Sequence, residues 1–531
     1  SPKLSPAILR NVQALVDSAK GQAGDADSFV ARLVDPAASD PPSLSLDTTH
    51  PISRYFISSS HNTYLSGHQL WGESTTDAYK NVLERGCRCI EIDVWDGDDA
   101  PSPPSSPDED GKVGKFRGFV KKGLDKIRSR DSPSPQEEKK VDPDTEPRVL
   151  HGYTATTDVP FREVCQVIGQ NAFLKTDLPL IVSLEVHCNT AQQEMMVDMM
   201  KTYWKPWLVP VPSDMNEDTP LPTLESLRNR IVVKVKYSSP KKAAAKKAGT
   251  KPVPKADDEE DKSPVEETQV GVSKGRICEA LGQLGVYTRS CHFHGFDQPE
   301  AKIPTHVFSL SENKIEDMPD EGQRELFEHN ASYLMRTYPK GTRVSSSNLD
   351  PVPFWSHGVQ LVALNWQKMD AAMMLNEAMF DGSGGWVLKP KFYLQSDRSM
   401  VKGSQLHLDL RVYAAQGLTD IDGKAPSNVY VKCCLHTANM TGKTIVEKEA
   451  AKAGQWKFRS KSRSGPDPDW SGEVVAFDRL PLVLPELSFI RFKVMADVSF
   501  QKDRMLGWAC FRLDRFPQGP KLLQLRNAGA K

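Results

Sequence analysis

Four residues with oxygen donors raise the first chemical question. In "CRCIEIDVWDG", Glu91 and Asp93 stand two apart in a run of strand type. Both therefore point to one face, while Ile90, Ile92 and Val94 point to the other. Two carboxylates ~7 Å apart on one face repel unless a positive charge lies between or beside them. A solvated strand face is the ordinary reading, but the rest of this strand is strongly apolar, which argues that its polar face lines a cavity. "IVSLEVHC" repeats the pattern with Glu185, and "YFISSSHNTY" adds the amide of Asn62. Asn62, Glu91, Asp93 and Glu185 offer only oxygen ligands, so a hard cation, Ca²⁺ or Mg²⁺, suits them better than zinc.

Other polar residues fall at the ends of similar runs. "VVKVKY" sets Lys234 and Lys236 on one strand face. Such lysines either protect an edge strand or form a double cationic site for phosphate. His61, beside Asn62, and His151, in "HGYT", are imidazoles suited to proton transfer near neutrality. Composition and spacing reach as far as a metal-dependent enzyme acting on a phosphorylated substrate, without naming that substrate.

The elements that must position these groups follow from periodicity. From Pro51 to about Tyr237, strand-like "YFISS", "CRCIEIDVW", "LPLIVSLEV" and "RIVVKVKY" alternate with helix-like "TDAYKNVLERG", "FREVCQVIGQNAF" and "TAQQEMMVDMMKTYW". Alternation resumes over 271–393 with "HVFSLSE", "GVQLVALNW" and "GWVLKP". Two such halves, 51–238 and 271–393, predict a TIM-type (β/α)8 barrel split by a linker at 239–270. Residues 98–148 form a Pro-, Ser- and charge-rich insertion and, like the linker, read as disordered. Residues 1–50 read as a helical lead-in. Short strands between turns over 405–520 predict an antiparallel β-sandwich.

The totals set limits on this picture. A chain of 531 residues needs two or three domains. Its formal net charge of -1 gives no bulk attraction to nucleic acid or anionic lipid. The nine cysteines lack C-x-x-C spacing, which fits reduced thiols in a cytoplasmic compartment. No apolar run reaches the ~20 residues of a membrane span. The chain opens on Ser1 without an apolar leader, as a fragment of a longer protein would.

At this point the sequence resembles the eukaryotic phosphoinositide-specific phospholipases C. "SSSHNTYL", "GCRCIEIDVWDG", "HGYT" and "SLEVHC" are similar to that family's X half-barrel; "SLSEN", "MRTYPKGTRVSSSN" and "GVQLVALNWQ" to its Y half-barrel. The sandwich resembles a C2 domain. The resemblance implies hydrolysis of phosphatidylinositol 4,5-bisphosphate to diacylglycerol and inositol trisphosphate by a monomer peripherally associated with membranes. It implies a catalytic Ca²⁺ on Asn62, Glu91, Asp93 and Glu185, with Glu91 as base. It further implies His61 at the phosphoryl oxygens, His151 as acid and then base, and Lys234, Lys236, Ser311, Arg336 and Tyr338 around the inositol phosphates.

Departures from the family pattern shape further expectations. In the sandwich, Asn428 stands where an aspartate is common and "VMADVSF" offers only Asp497, so Asp420 and Asp422 are expected to be loop chemistry rather than a calcium site. At the barrel lip, Leu70 and Tyr153 match apolar family positions, whereas Ala155 and Thr342 are smaller, so shallower insertion is expected. Within the insertion, Val113, Phe116, Val120, Leu124 and Ile127 fall on one side of a basic helix-like stretch at 112–130, either a lipid-docking segment or a solvated tract. The acidic "DDEED" of the linker, offset by the basic "KKAAAKK", is either an inhibitory segment or a disordered tract without regulatory effect. A non-catalytic phosphoinositide-binding scaffold would be expected to lose a catalytic histidine or metal ligand; this chain keeps every position that can be matched.

Overall fold

The computed structural model describes residues 4–18, 29–31, 33, 46–97, 145–152, 154–213, 215–237, 276–394, 404–420, 422–438, 455–498, 502–516, 518–527 and 529. The linker, the stretch 112–130 and Tyr153 lie outside them, as does most of the insertion.

Eight parallel strands close a barrel: β1 (Tyr55–Ser60), β2 (Cys89–Trp95), β3 (Leu180–Val186), β4 (Ile231–Lys236), β5 (Thr288–Cys291), β6 (His306–Ser311), β7 (Leu334–Tyr338) and β8 (Leu361–Leu364). Closure comes where β1 pairs in parallel with both β8 and β2. The second half differs from the sequence expectation in one respect. "GWVLKP" is not a barrel stave: Trp386–Leu388 runs antiparallel against Tyr55–Ile57 outside the ring. The missing staves are "TRSC" and "LMRTY", which are short and carry polar residues that point inward, so they lack the apolar run expected of a buried strand.

The inward positions explain the polarity of the strands. Along each strand the first inward residue is apolar: Ile57, Cys89, Ile181, Val232, Val307, Leu334 and Leu361 form one inner cluster with Val286 and Trp386. Two residues further on stand Ser59, Glu91, Ser183, Lys234, Thr288, Ser309, Arg336 and Ala363. Two more bring His61, Asp93, Glu185, Lys236, Ser290, Ser311, Tyr338 and Asn365 to the mouth or just beyond the strand end. The period of two thus converts an apolar floor into a charged mouth at the carboxyl ends of the strands.

Outward residues such as Ile90, Ile92, Val94, Val182 and Val233 pack under the surrounding helices. Helices α2 (Thr76–Glu84), α3 (Phe161–Asn171) and α4 (Thr190–Trp204) lie in the first half. Thr75 caps α2 by accepting from Ala78 N at 3.2 Å, and Asn189 caps α4 by accepting from Gln192 N at 3.1 Å. In the second half, α5 (Ala371–Phe380) follows β8 and packs on the C-terminal domain, against Phe489–Ala496 and Arg504–Arg512. Among its described residues that domain has two antiparallel sheets: Ser404–Ala414 with Asp469–Val483, and a sheet ordered Gln455–Arg459, Asn428–His436, Phe489–Ala496, Arg504–Arg512. Helix α1 (Pro6–Ser18) docks on the sandwich rather than the barrel, with Asn11 Nδ2 donating to Asp469 Oδ1 at 2.9 Å and Ile8 and Val12 buried near Ala414 and Leu522.

Candidate active site

The turn after β1 builds one wall of the mouth. Asn62 has a φ of 42°, a left-handed backbone that asparagine tolerates better than most residues. That turn aims its N–H at Glu91 Oε2, 2.9 Å away. The next two side chains continue the pattern: Thr63 Oγ1 accepts from Glu91 N at 2.9 Å, and the Tyr64 hydroxyl donates to Asp93 Oδ2.

Asp93 and Glu185 are register partners on β2 and β3, with Glu91 two residues earlier. The three offer ligand atoms all within 4.8 Å of one another, and no other group of this kind occurs among the described residues. Like charges directly across a sheet are destabilising. Burial first, then Glu185 and Glu91, push the Asp93 carboxyl well above the usual carboxylate range. Asp93 Oδ1 is buried without a hydrogen-bond partner among the described residues. An all-oxygen cluster with an orphaned carboxylate oxygen fits a hard divalent cation. Asn62 stands beside it: its Nδ2 donates to Gln69 Oε1 at 2.9 Å, which turns the amide oxygen away from Gln69.

The cationic residues flank this cluster, Lys234 and Lys236 on β4 beside β3 and Arg336 on β7. Arg336 Nη2 lies 2.7 Å from Glu91 Oε1, and both side chains are buried. Arg336 is expected at the ring phosphates; here its guanidinium is engaged by Glu91, because a buried charge takes the nearest opposite one. Burial, followed by repulsion from Arg336, lowers the Lys234 pKa. Its Nζ donates to Ser183 Oγ at 3.3 Å. Lys236 is exposed at the end of the same strand. Tyr338 faces His61 in a stacked arrangement, ring centroids 6.1 Å apart, and Ser311 is its register partner on β6. Ser311 Oγ is buried and has no hydrogen-bond partner among the described residues.

Each imidazole is anchored through Nδ1. His61 Nδ1 lies 3.1 Å from Asn365 Oδ1, and His151 Nδ1 lies 2.7 Å from the Gln69 carbonyl oxygen. Both partners are acceptors, so both Nδ1 atoms carry hydrogen. Burial is the leading cause that lowers the His61 pKa, while the Glu91 charge opposes it. Beside His151, a Cβ on Gly152 would fall 1.9 Å from Trp95 Cζ2, so only glycine lets this loop close on β2. Trp95 in turn stacks on His187 at 4.0 Å, and His187 Nε2 lies 3.1 Å from Glu185 Oε1.

The structure therefore gathers nearly every expected site residue at one mouth, and adds Tyr64, Gln69, His187 and Asn365. Three of these were legible in motifs already singled out: Tyr64 in "SSSHNTYL", His187 in "SLEVHC" and Asn365 in "GVQLVALNWQ". Gln69 carried no signal.

Three family descriptions match the chain: Phosphatidylinositol-specific phospholipase C, X domain, over 48–237; the Y domain over 281–392; and a C2 domain over 406–527. The human 1-phosphatidylinositol 4,5-bisphosphate phosphodiesterase zeta-1 is 30% identical, covering 87% of this chain and 68% of that protein. The chain belongs to the phosphatidylinositol-specific phospholipase C family. The Dictyostelium discoideum 1-phosphatidylinositol 4,5-bisphosphate phosphodiesterase is 30% identical over 91% of this chain and 57% of its own length. The crystal structure of S. officinalis PLC21 superposes with a TM-score of 0.70 at 26% identity, covering 97% of this chain and 60% of that one. The chain thus spans little more than half the length of several relatives it matches.

In the C2 domain two of the three candidate aspartates pair with arginines: Asp420 lies 3.3 Å from Arg504 and Asp497 3.3 Å from Arg459. At the lip, Leu70 is half-buried, while Trp71 is 60% and Val344 38% exposed. Among the described residues no helix is long and apolar enough to cross a membrane, and all nine cysteines are free thiols.

Proposed function

We propose that the chain hydrolyses the phosphodiester of phosphatidylinositol 4,5-bisphosphate in a calcium-dependent reaction, yielding diacylglycerol and inositol 1,4,5-trisphosphate through a cyclic phosphate. The observation that carries this reading is the grouping of Glu91, Asp93 and Glu185 within 4.8 Å, beside two imidazoles anchored at Nδ1. Asn62, Glu91, Asp93 and Glu185 would hold the cation, which when bound supplies acidification of the inositol 2-hydroxyl and charge neutralisation at phosphorus.

In this reading Glu91 takes the 2-hydroxyl proton, the freed oxygen bonds to phosphorus, and the bond from phosphorus to the glycerol oxygen breaks. His61 keeps its Nδ1–H on Asn365, so it offers a second N–H to the phosphoryl oxygens only as the imidazolium, the form that best stabilises developing negative charge. His151, anchored the same way, gives its Nε2 proton to the departing glycerol oxygen. Its neutral form then accepts a proton from the water that attacks phosphorus, the bond from phosphorus to the 2-oxygen breaks, and Glu91 returns its proton to that oxygen. Lys234, Lys236, Ser311 and Arg336 bind the ring phosphates, and Tyr338 packs against the inositol face. Arg336 exchanges Glu91 for a phosphate as the site fills. Trp71 and Val344 dip into the lipid beside the mouth, which attaches the protein peripherally to the membrane.

The test is release of water-soluble inositol phosphates from vesicles containing the bisphosphorylated lipid, with Ca²⁺ and with chelator. Turnover is expected only with Ca²⁺, and His61→Gln or His151→Gln should cut it by roughly 10²–10⁴-fold. Wild-type rates from either variant, or equal rates in chelator, would refute the assignment.

A further inference from the structure

Gln69 lies in the loop between the short strands Leu65–Ser66 and Glu73–Ser74 and is 7% exposed. A polar side chain buried this deeply must satisfy its hydrogen bonds inside the protein. Its bonds converge on the candidate site. Oε1 accepts from Asn62 Nδ2 at 2.9 Å, and Nε2 donates to Ser346 Oγ at 2.9 Å and to Asn365 Oδ1 at 3.2 Å. The carbonyl oxygen accepts from His151 Nδ1 at 2.7 Å, and the backbone N–H donates to Val344 O at 3.1 Å.

The direction of these bonds is dictated by chemistry. If the Gln69 amide were turned over, its NH2 would face the NH2 of Asn62 and its oxygen would face Asn365 Oδ1, so both contacts would become repulsive. Asn365 is held the same way round, because its Nδ2 donates to Ser347 O at 3.2 Å. Its Oδ1 therefore accepts twice, from Gln69 and from His61 Nδ1 at 3.1 Å. A hydrocarbon side chain of equal size would fill the space and satisfy none of this.

We propose that Gln69 is a positioning residue that holds three separate parts of the site at once: its side chain orients the Asn62 amide and, through Asn365, keeps the His61 proton on Nδ1, while its carbonyl does the same for His151. It touches neither substrate nor metal. Its effect on turnover rests on the phosphodiesterase reading above, whereas its effect on the imidazoles does not.

The experiment uses the full chain, labelled with ¹⁵N in its histidines, at a pH where the imidazoles are neutral. Signals of His61 and His151 are identified by their loss in His61→Gln and His151→Gln. In the unaltered chain both should show protonated Nδ1. Gln69→Glu keeps the shape but sets a carboxylate against Asn365 Oδ1. Asn365 should turn over, present its NH2 to His61, and move that proton to Nε2. Gln69→Leu should broaden or shift the His61 signals while His151 keeps its protonated Nδ1, because the backbone carbonyl that holds it remains; if it does not fold, the isosteric Gln69→Glu carries the test. On vesicles, Gln69→Glu should lower kcat by about 10–100-fold with KM within about twofold. Unmoved imidazole signals in the folded variants overturn the proposal whatever the rate. Shifted tautomers in a chain whose unaltered form releases no inositol phosphate support the positioning role and overturn the phosphodiesterase reading instead.

Discussion

Replacing Asp93 by asparagine should stabilise the protein in chelator and abolish its response to calcium. Asp93 is 5% exposed, its Oδ2 takes the Tyr64 hydroxyl, and its Oδ1 has no partner among the described residues. Asparagine keeps the carbonyl that Tyr64 needs and turns the orphaned oxygen into an NH2 facing carboxylates. Two unit charges 4.8 Å apart repel by about 3 kcal/mol at an effective dielectric of ~20. Protonation and Arg336 relieve part of this, so the expected gain is ~1–2 kcal/mol, a thermal midpoint higher by a few degrees. Asp93 is a carboxyl whose folded-state pKa is raised, so the unfolded chain ionises first as pH rises. The advantage of Asp93→Asn is therefore largest near neutrality and fades as pH falls towards ~4, where the carboxyl is protonated in both states. The unaltered chain should gain about 2.7 kcal/mol at a hundredfold excess of Ca²⁺ over Kd, and the variant little. Thermal unfolding in chelator and across a Ca²⁺ titration measures both. A variant less stable in chelator, or one with an undiminished calcium shift, would refute the cluster as a cation site.

Other predictions follow from single contacts. Trp71→Ser should weaken vesicle binding by ~2 kcal/mol, about 30-fold in a sedimentation assay, since burying most of an exposed indole contributes about that much. Glu377 joins Arg85 at 2.5 Å to Arg526 at 2.8 Å, tying both barrel halves to the C-terminal segment. Glu377→Gln should cost ~2–3 kcal/mol and raise hydrogen exchange in α5, because two arginines lose a largely buried partner. Burial holds the His329 imidazole down to about 4 from 6.5. Its contribution is present at neutral pH and lost as pH falls from 6.5 through about 4, where the unfolded chain takes the proton first. His329→Phe should flatten that part of the stability profile by roughly 3 kcal/mol, read from denaturant unfolding at several pH values.

The division between what was legible and what was hidden follows from the range of each physical cue. Strand alternation is local, so "CIEIDVW" declares which side chains share a face. The barrel class, the sandwich, the acidic trio and both histidines were all visible on those terms. The β5 and β7 staves were not, because strands whose inward positions are Thr288, Ser290, Arg336 and Tyr338 lack the apolar signature of a buried strand. Gln69 was silent for another reason: it sits in a loop, with no period to mark it, and its meaning lies entirely in bonds to residues distant along the chain.

By itself, then, the sequence determined which donors exist, which strand faces carry them, and that they lie at strand ends. Only the closed barrel decided their partners. Register brings Asp93 opposite Glu185, and ring closure carries Arg336 from β7 across to Glu91 on β2. The Gln69 loop then links Asn62, Asn365 and His151. Hydrogen bonds and buried charge act over a few ångströms of space, and no local pattern in the chain encodes which distant residues will share that space.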